Sequence, residues 1–135
     1  MTILDMIKAA PQELTVDAEL IAGAIKAASE CAVVCNACAS ACLSEDDPKA
    51  MATCIRDNLD CADLCETTAR HLARLNLSDK QRTTGLLTAC IEACVQCASS
   101  CEPHGGHHEH CRLCAEACRR CEEACQALLD AVKAA

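Results

Sequence analysis

Cysteine recurs at helical spacing in two closely similar stretches of the sequence. Residues 31–42 read CAVVCNACASAC and residues 90–101 read CIEACVQCASSC, with four cysteines at offsets of 4, 3 and 4 residues in each. The whole chain holds 16 cysteines in 135 residues. Offsets of 3 and 4 place side chains on one face of an α-helix. The spacing therefore predicts helices that carry rows of thiols, and clustered thiols bind soft metal ions or carry out redox chemistry.

The composition favours helix and disfavours several classes of protein. The sequence has no Phe, Tyr or Trp, and Ala, Leu, Glu and Arg favour helix almost throughout. A formal net charge of −8 without a basic patch disfavours a nucleic-acid partner. No uncharged run approaches the length that spans a membrane. The N-terminal MTILDMIKAAPQEL lacks the unbroken apolar stretch of a signal peptide. We therefore expect a cytoplasmic protein whose thiols are reduced.

Few breaks interrupt the helical pattern, and they divide the chain into four long helices. We predict helices at roughly 16–43, 47–75, 79–101 and 107–133, after a short N-terminal helical segment at 2–9. Asp47 is the expected N-cap before Pro48, and Ser78 with Gln81 forms a candidate capping box. Short connections make successive helices antiparallel. The prediction is one all-α domain over residues 1–135, an antiparallel up-down four-helix bundle.

The cysteines of each helix lie in the half that meets the same end of such a bundle. They occupy the C-terminal halves of the first and third long helices and the N-terminal halves of the second and fourth. One end of the interior is therefore expected to be lined with sulfur, while Leu, Ile and Ala fill the other end. The predicted metal ligands are all sixteen thiols: Cys31, Cys35, Cys38, Cys42, Cys54, Cys61, Cys65, Cys90, Cys94, Cys97, Cys101, Cys111, Cys114, Cys118, Cys121 and Cys125.

Three explanations without metal fit these thiols less well. Cysteine serves elsewhere as a small buried hydrophobe, but Ala, Val or Leu would fill sixteen such positions without the hazard of oxidation. Disulfides within one helix fail because Cβ atoms at i and i+4 lie about 5–6 Å apart, beyond the ~3.5–4.5 Å that a disulfide needs. A thiol oxidoreductase needs an exposed Cys-x-x-Cys at a helix N-terminus, whereas most pairs here lie in mid-helix. That last alternative stays open as a hypothesis.

Among metals, Cu(I) fits the spacing and the charge best. Two thiolates at i and i+4 can rotate to the roughly 4–4.5 Å separation of linear two-sulfur ligation. A ratio near one Cu(I) per thiolate leaves a buried core neutral, whereas stacked Zn²⁺ sites with four thiolates would each keep negative charge. Metallothionein-like binding of Zn²⁺ or Cd²⁺ remains the alternative. Seven cysteine pairs have the required spacing: Cys31 and Cys35, Cys38 and Cys42, Cys61 and Cys65, Cys90 and Cys94, Cys97 and Cys101, Cys114 and Cys118, and Cys121 and Cys125.

The sequence resembles the bacterial four-helix-bundle copper storage proteins, and in particular their cytosolic branch. The resemblance rests on inward Cys-x-x-x-Cys pairs in all four helices and on the HHEHC run at 107–111, and it covers essentially the whole chain. It implies a store of many Cu(I) ions bridged between cysteines, and a homotetramer. The sequence lacks the motifs of catalytic sites, so we expect no enzyme. The expected partners are copper ions and a small Cu(I) metallochaperone.

A few other residues near the thiols could assist the binding of copper. Asn58 stands where the repeat would place another cysteine. Its side chain is either a buried amide that is hydrogen-bonded across the bundle or a contact to copper through its carbonyl oxygen. Met51 offers a thioether or simple packing. Four histidines cluster at the expected sulfur-lined end and are candidate entry ligands: His104, His107, His108 and His110. His71 is isolated, and we expect it on the surface.

Overall fold

The computed structural model describes residues 2–135, and this part of the chain forms five α-helices without a β-strand. Two short 3₁₀ helices, Pro48–Met51 and Glu102–His104, occupy connections between them. The α-helices are α1 (Thr2–Ala9), α2 (Ala18–Leu43), α3 (Ala52–Ala73), α4 (Lys80–Cys101) and α5 (Glu109–Ala134).

Aspartates begin two of the long helices. The side chain of Asp17 accepts a hydrogen bond from the Glu19 amide at 3.0 Å, and it caps α2. Asp79 caps α4 by accepting from the Arg82 amide at 3.1 Å. The predicted capping box at Ser78 is therefore wrong. The Ser78 hydroxyl donates instead to Asn76 Oδ1 at 3.0 Å, and the acidic residue next to it takes the capping position.

The start of α3 also differs from the prediction. Asp47 precedes a 3₁₀ turn and its side chain makes no capping hydrogen bond. The α-helix itself begins only at Ala52 and ends at Ala73, two residues before the predicted end. Leu75 follows with a φ of 58°, a left-handed conformation that stops the helix and is compatible with a buried Leu75 side chain.

The four long helices pack in a ring. Helix α2 packs against α3 and α5, and α4 packs against the same two helices. The short α1 packs against α2. The predicted all-α bundle with a short N-terminal helix is confirmed. None of the helices in residues 2–135 is long and apolar enough to cross a membrane.

The interior has two sections, as the sequence predicts. Sulfur fills the end that bears residues 44–51 and 102–110, which we call the mouth. Large aliphatic side chains fill the other end, the apolar plug, and the most completely buried of them are Ile21, Leu72, Leu87, Leu128 and Val132. Each long helix carries a continuous stripe of buried residues, with thiols near the mouth and aliphatic side chains toward the other end. The bundle therefore has a buried core both in the sulfur-lined section and in the apolar plug.

His71 is buried, so the prediction of a surface position is wrong. Its side chain is 8% exposed, and Nε2 lies 2.9 Å from the Thr83 hydroxyl oxygen across the seam between α3 and α4. Nearby, the Thr68 hydroxyl donates to the Leu86 carbonyl at 3.4 Å. His71 lies three residues after Thr68, and this helical spacing returns it to the buried face.

Candidate metal centre

All sixteen cysteines are buried free thiols, each at most 2% exposed. They come from α2, α3, α4 and α5, at the ends of these helices that meet near the mouth. Packing of the helical stripes against one another forces the sulfur atoms into a single column. The structure thus brings together every cysteine that the sequence analysis singled out, while their role as ligands stays a prediction.

Neighbouring thiols within one helix lie close together. Of the seven pairs that the spacing singles out, four have their sulfur atoms 3.7–4.0 Å apart. These are Cys31 with Cys35, Cys38 with Cys42, Cys61 with Cys65, and Cys121 with Cys125. Contacts between helices are equally short, as between Cys90 and Cys65 at 3.6 Å. The helices therefore hold the sulfur atoms near the spacing that a shared soft metal ion requires.

The thiols form groups that share members. In each group the sulfur atoms all lie within 4.8 Å of one another. Cys31, Cys35, Cys38, Cys114 and Cys118 each belong to at least two of them. Sharing means that neighbouring ions would be bridged by common thiolates instead of occupying separate cages. The groups include Cys31, Cys65, Cys94 and Cys121; Cys31, Cys35, Cys61 and Cys118; Cys35, Cys97, Cys114 and Cys118; Cys38, Cys42, Cys54 and Cys111; and Cys38, Cys101 and Cys114.

Asn58 is a neutral amide inside the sulfur column, and it is completely buried. Its Oδ1 accepts from the thiols of Cys97 at 3.0 Å and Cys114 at 3.3 Å, with Cys101 at 3.5 Å. Its Nδ2 lies 3.9 Å from Cys54 Sγ. Asn58 therefore has the first of its two expected roles, that of a buried amide hydrogen-bonded across the bundle. A contact between Asn58 and copper remains a prediction.

The thiols near the mouth differ in their affinity for protons. Burial raises the pKa of Cys111 to about 12 and also raises the pKa of Cys42, because a thiolate is poorly solvated there. Hydrogen bonds from Cys101, at 3.0 Å, and from Cys38 lower the pKa of Cys54 to about 3. A metal ion entering here meets one thiol that readily becomes a thiolate and two that must first lose a proton.

The histidines extend the set of candidate ligands outward from the thiols. Nδ1 of His110 lies 3.4 Å from Cys38 Sγ and 3.6 Å from Cys111 Sγ. The ring of His108 is centred 5.6 Å from that of His110, and the ring of His104 is 6.4 Å from that of His108. His107 is exposed, and Met51 is buried on the 3₁₀ helix at the mouth. Three of the four predicted histidines therefore form a row that leads to the thiols.

Glu45 completes the mouth, and the sequence analysis did not identify it. One of its carboxylate oxygens, Oε2, lies 2.7 Å from His108 Nδ1 and 2.9 Å from His110 Nε2. The hydrogen bond from His110 holds the pKa of the Glu45 carboxyl below its usual value. The sequence did contain an indication. The predicted antiparallel order puts the connection between the first two long helices and the connection between the last two at the same, sulfur-lined end, where an acidic loop residue could reach a histidine.

Comparison with known proteins identifies the family of this chain. Residues 17–130 match the copper storage protein family, so the chain belongs to that family. The chain is 46% identical to the copper storage protein of Streptomyces lividans in its structure loaded with 10 copper equivalents. The TM-score is 0.92, and the match covers 95% of this chain and 98% of that one.

One further structure and one further similar protein support the assignment. A structure describing copper loading of the cytosolic copper storage protein of Streptomyces lividans with five coppers has a TM-score of 0.81. The two sequences are 48% identical, and the match covers 83% of this chain and 93% of that chain. The uncharacterized cysteine-rich protein YhjQ of Bacillus subtilis strain 168 is 31% identical over 93 residues, which are 69% of this chain and 81% of that protein.

Proposed function

We propose that the protein stores Cu(I) in the cytoplasm and binds many ions through the thiolates of its sixteen buried cysteines. The observation that carries this proposal is the sharing of thiols between groups whose sulfur atoms lie within 4.8 Å of one another. A single structural metal site needs only four ligands, and sixteen connected thiols far exceed that need. A connected column suits a polynuclear store, in which each thiolate bridges ions.

The shared ligands also favour Cu(I) over Zn²⁺. One isolated group of four thiols could hold a tetrahedral Zn²⁺ ion. Filling overlapping groups with separate Zn²⁺ ions would require thiols such as Cys35 and Cys118 to serve two complete tetrahedra. Cu(I) needs only two or three soft ligands, and one positive charge per thiolate keeps the low-dielectric interior neutral. Sequestration of Zn²⁺ or Cd²⁺ is the alternative that this argument disfavours.

Three further features belong to the proposal. A storage role requires no catalysis, and the thiols lie inside the bundle instead of at the exposed helix N-terminus that a thiol oxidoreductase uses. A cytoplasmic location is supported by the similarity to a cytosolic copper storage protein. We infer a homotetramer from the family resemblance, and a small Cu(I) metallochaperone as the partner that exchanges ions at the mouth.

Metal competition tests the choice of ion. Reduced apo-protein is loaded anaerobically with Cu(I) or with Zn²⁺, and each complex is then challenged with an excess of the other ion before metal analysis. We expect Cu(I) to displace Zn²⁺ completely and Zn²⁺ to leave the Cu(I) complex unchanged. Retention of Zn²⁺ against Cu(I) would support the metallothionein-like alternative. A parallel assay for reduction of a disulfide substrate tests the oxidoreductase, for which we expect no turnover.

A further inference from the structure

A single carboxylate oxygen joins two histidines at the mouth. Glu45 follows the end of α2, and its Oε2 lies 2.7 Å from Nδ1 of His108 and 2.9 Å from Nε2 of His110. The two rings thus face the same oxygen with opposite nitrogens. The other nitrogen of His110, Nδ1, lies within 3.6 Å of the sulfur atoms of Cys38 and Cys111.

The chemistry of an ionised carboxylate determines which nitrogens carry protons. An ionised carboxylate only accepts hydrogen bonds, so the ring nitrogen that faces it must be protonated. In a neutral His110 the lone pair is then on Nδ1, the nitrogen beside the two thiols. In a neutral His108 the proton is on Nδ1 and the lone pair is on Nε2, at the opposite edge of the ring. A metal ion binds only to the nitrogen that has the lone pair.

We propose that Glu45 is a positioning residue that fixes His108 and His110 in opposite tautomers for the passage of Cu(I). The outer ring, His108, offers Nε2 to an arriving ion, and the inner ring, His110, offers Nδ1 next to Cys38 and Cys111. The inference rests on the proposed function in that Cu(I) is the ion that passes. Carboxylates that orient ligating histidines from outside the metal site are a general device of metal proteins.

The backbone of the loop does not need the Glu45 side chain. The Ser44 and Glu45 amides donate to the carbonyls of Ala41 and Cys42, and these bonds turn the chain at the end of α2. The Glu45 side chain is 30% exposed, and Gln has the same length and shape as Glu, so the substitution keeps the packing that this side chain makes. Replacing Glu45 by Gln should therefore leave the loop in place. The amide of Gln can donate as well as accept, so it no longer selects one tautomer.

Nitrogen-15 NMR of the histidine rings in reduced apo-protein tests the tautomers directly. The pH is raised until the nitrogen-15 shifts of both rings no longer change, so that the neutral form of each ring is observed. We expect His110 to be protonated on Nε2 and His108 on Nδ1, and Glu45→Gln to mix the tautomers of both. Glu102→Gln is the matched control, because Glu102 lies at the same end but pairs with Arg119. The same tautomers in the Glu45→Gln variant and the unmodified protein would overturn the proposal.

Transfer kinetics then test whether the positioning matters for copper. Cu(I) uptake from a chromophoric chelator, and its return, should slow by roughly tenfold or more in Glu45→Gln, as for other residues that orient metal ligands. Final capacity should not change. In a background of His108→Ala with His110→Ala, Glu45→Gln should have no further effect. An equal slowing in that background would show that Glu45 acts on something else and would overturn the proposal.

The two levels of inference fail in different ways. A protein that takes up no Cu(I) would refute the proposed function through the metal analysis. The ring tautomers are measured without metal, so they would still decide whether Glu45 sets His108 and His110.

Discussion

The affinity of the sulfur column for Cu(I) should rise with pH, because a buried thiol must lose its proton to bind the ion. Burial raises the pKa of Cys111 to about 12 and also raises the pKa of Cys42. Both are protonated in the apo-protein at neutral pH, so binding releases their protons and strengthens as pH increases toward 12. Each displaced proton contributes a factor of ten in affinity, or about 1.4 kcal/mol, per pH unit.

Cys54 makes the expected proton count slightly smaller. Because Cys101 lowers its pKa to about 3, Cys54 is already a thiolate at neutral pH and has no proton to release. An ion bound through Cys54 together with thiols such as Cys42 should therefore displace one proton fewer than an ion bound by the same number of protonated thiols. Hydrogen bonds from neighbouring thiols also lower the pKa of Cys31, Cys61, Cys90 and Cys114. Averaged over the column, we therefore expect fewer than one proton released per ion, and a gain in affinity of less than about tenfold per pH unit.

Anaerobic competition with a chromophoric Cu(I) chelator measures this dependence. Titrations at about pH 7.5 and 8.5 give the slope that reports the protons released by the thiols. A weakly buffered solution with a pH indicator counts the released protons independently. A variant with the four mouth histidines replaced by Asn is the control, and it should keep the same slope. Equal affinity at both pH values without proton release would refute the reasoning, since it would mean that the apo-protein already holds thiolates.

Three other predictions concern the fold and the mouth. Leu87→Ala in the apolar plug should lower the free energy of unfolding of the apo-protein by about 2–5 kcal/mol in denaturant titrations without reducing copper capacity. A parallel loss of capacity would contradict the separation of plug and store. Anaerobic removal of copper should leave the far-ultraviolet circular dichroism largely unchanged, and collapse to coil would show that the metal forms the fold. Joint replacement of Met51, His107, His108 and His110 should slow transfer in both directions, measured against a Cu(I) chelator; unchanged rates would place the entrance elsewhere.

The sequence was sufficient for the fold and the sulfur column because both follow from helical periodicity. Offsets of 3 and 4 residues fix which face of a helix carries Cys31 or Cys90, whatever the partner helix is. The short connections then fix the antiparallel order and place all thiols at one end. The same periodicity also predicts the plug, in which Leu72 and Leu87 continue the cysteine stripes of α3 and α4 and are fully buried.

What the sequence did not supply depends on contacts between elements. His71 has helical spacing from Thr68, but its burial depends on Thr83 of the next helix, which offers a hydrogen-bond partner. Asp79 and Ser78 are both good N-caps, and the sequence does not decide which one the last turn of the loop presents to α4. Glu45 meets His108 only because two loops converge at the mouth. Such side-chain positions follow from packing and not from spacing.

Stoichiometry tests the account's central claim most directly. Reduced apo-protein is titrated anaerobically with Cu(I), the complex is isolated, and copper and protein are quantified. With sixteen thiols in one connected column, we predict a capacity on the order of one Cu(I) per thiol, bound in preference to Zn²⁺. A plateau at about four Zn²⁺ per chain, with Cu(I) excluded, would contradict the account, because it would mean separate tetrahedral sites in place of a shared store.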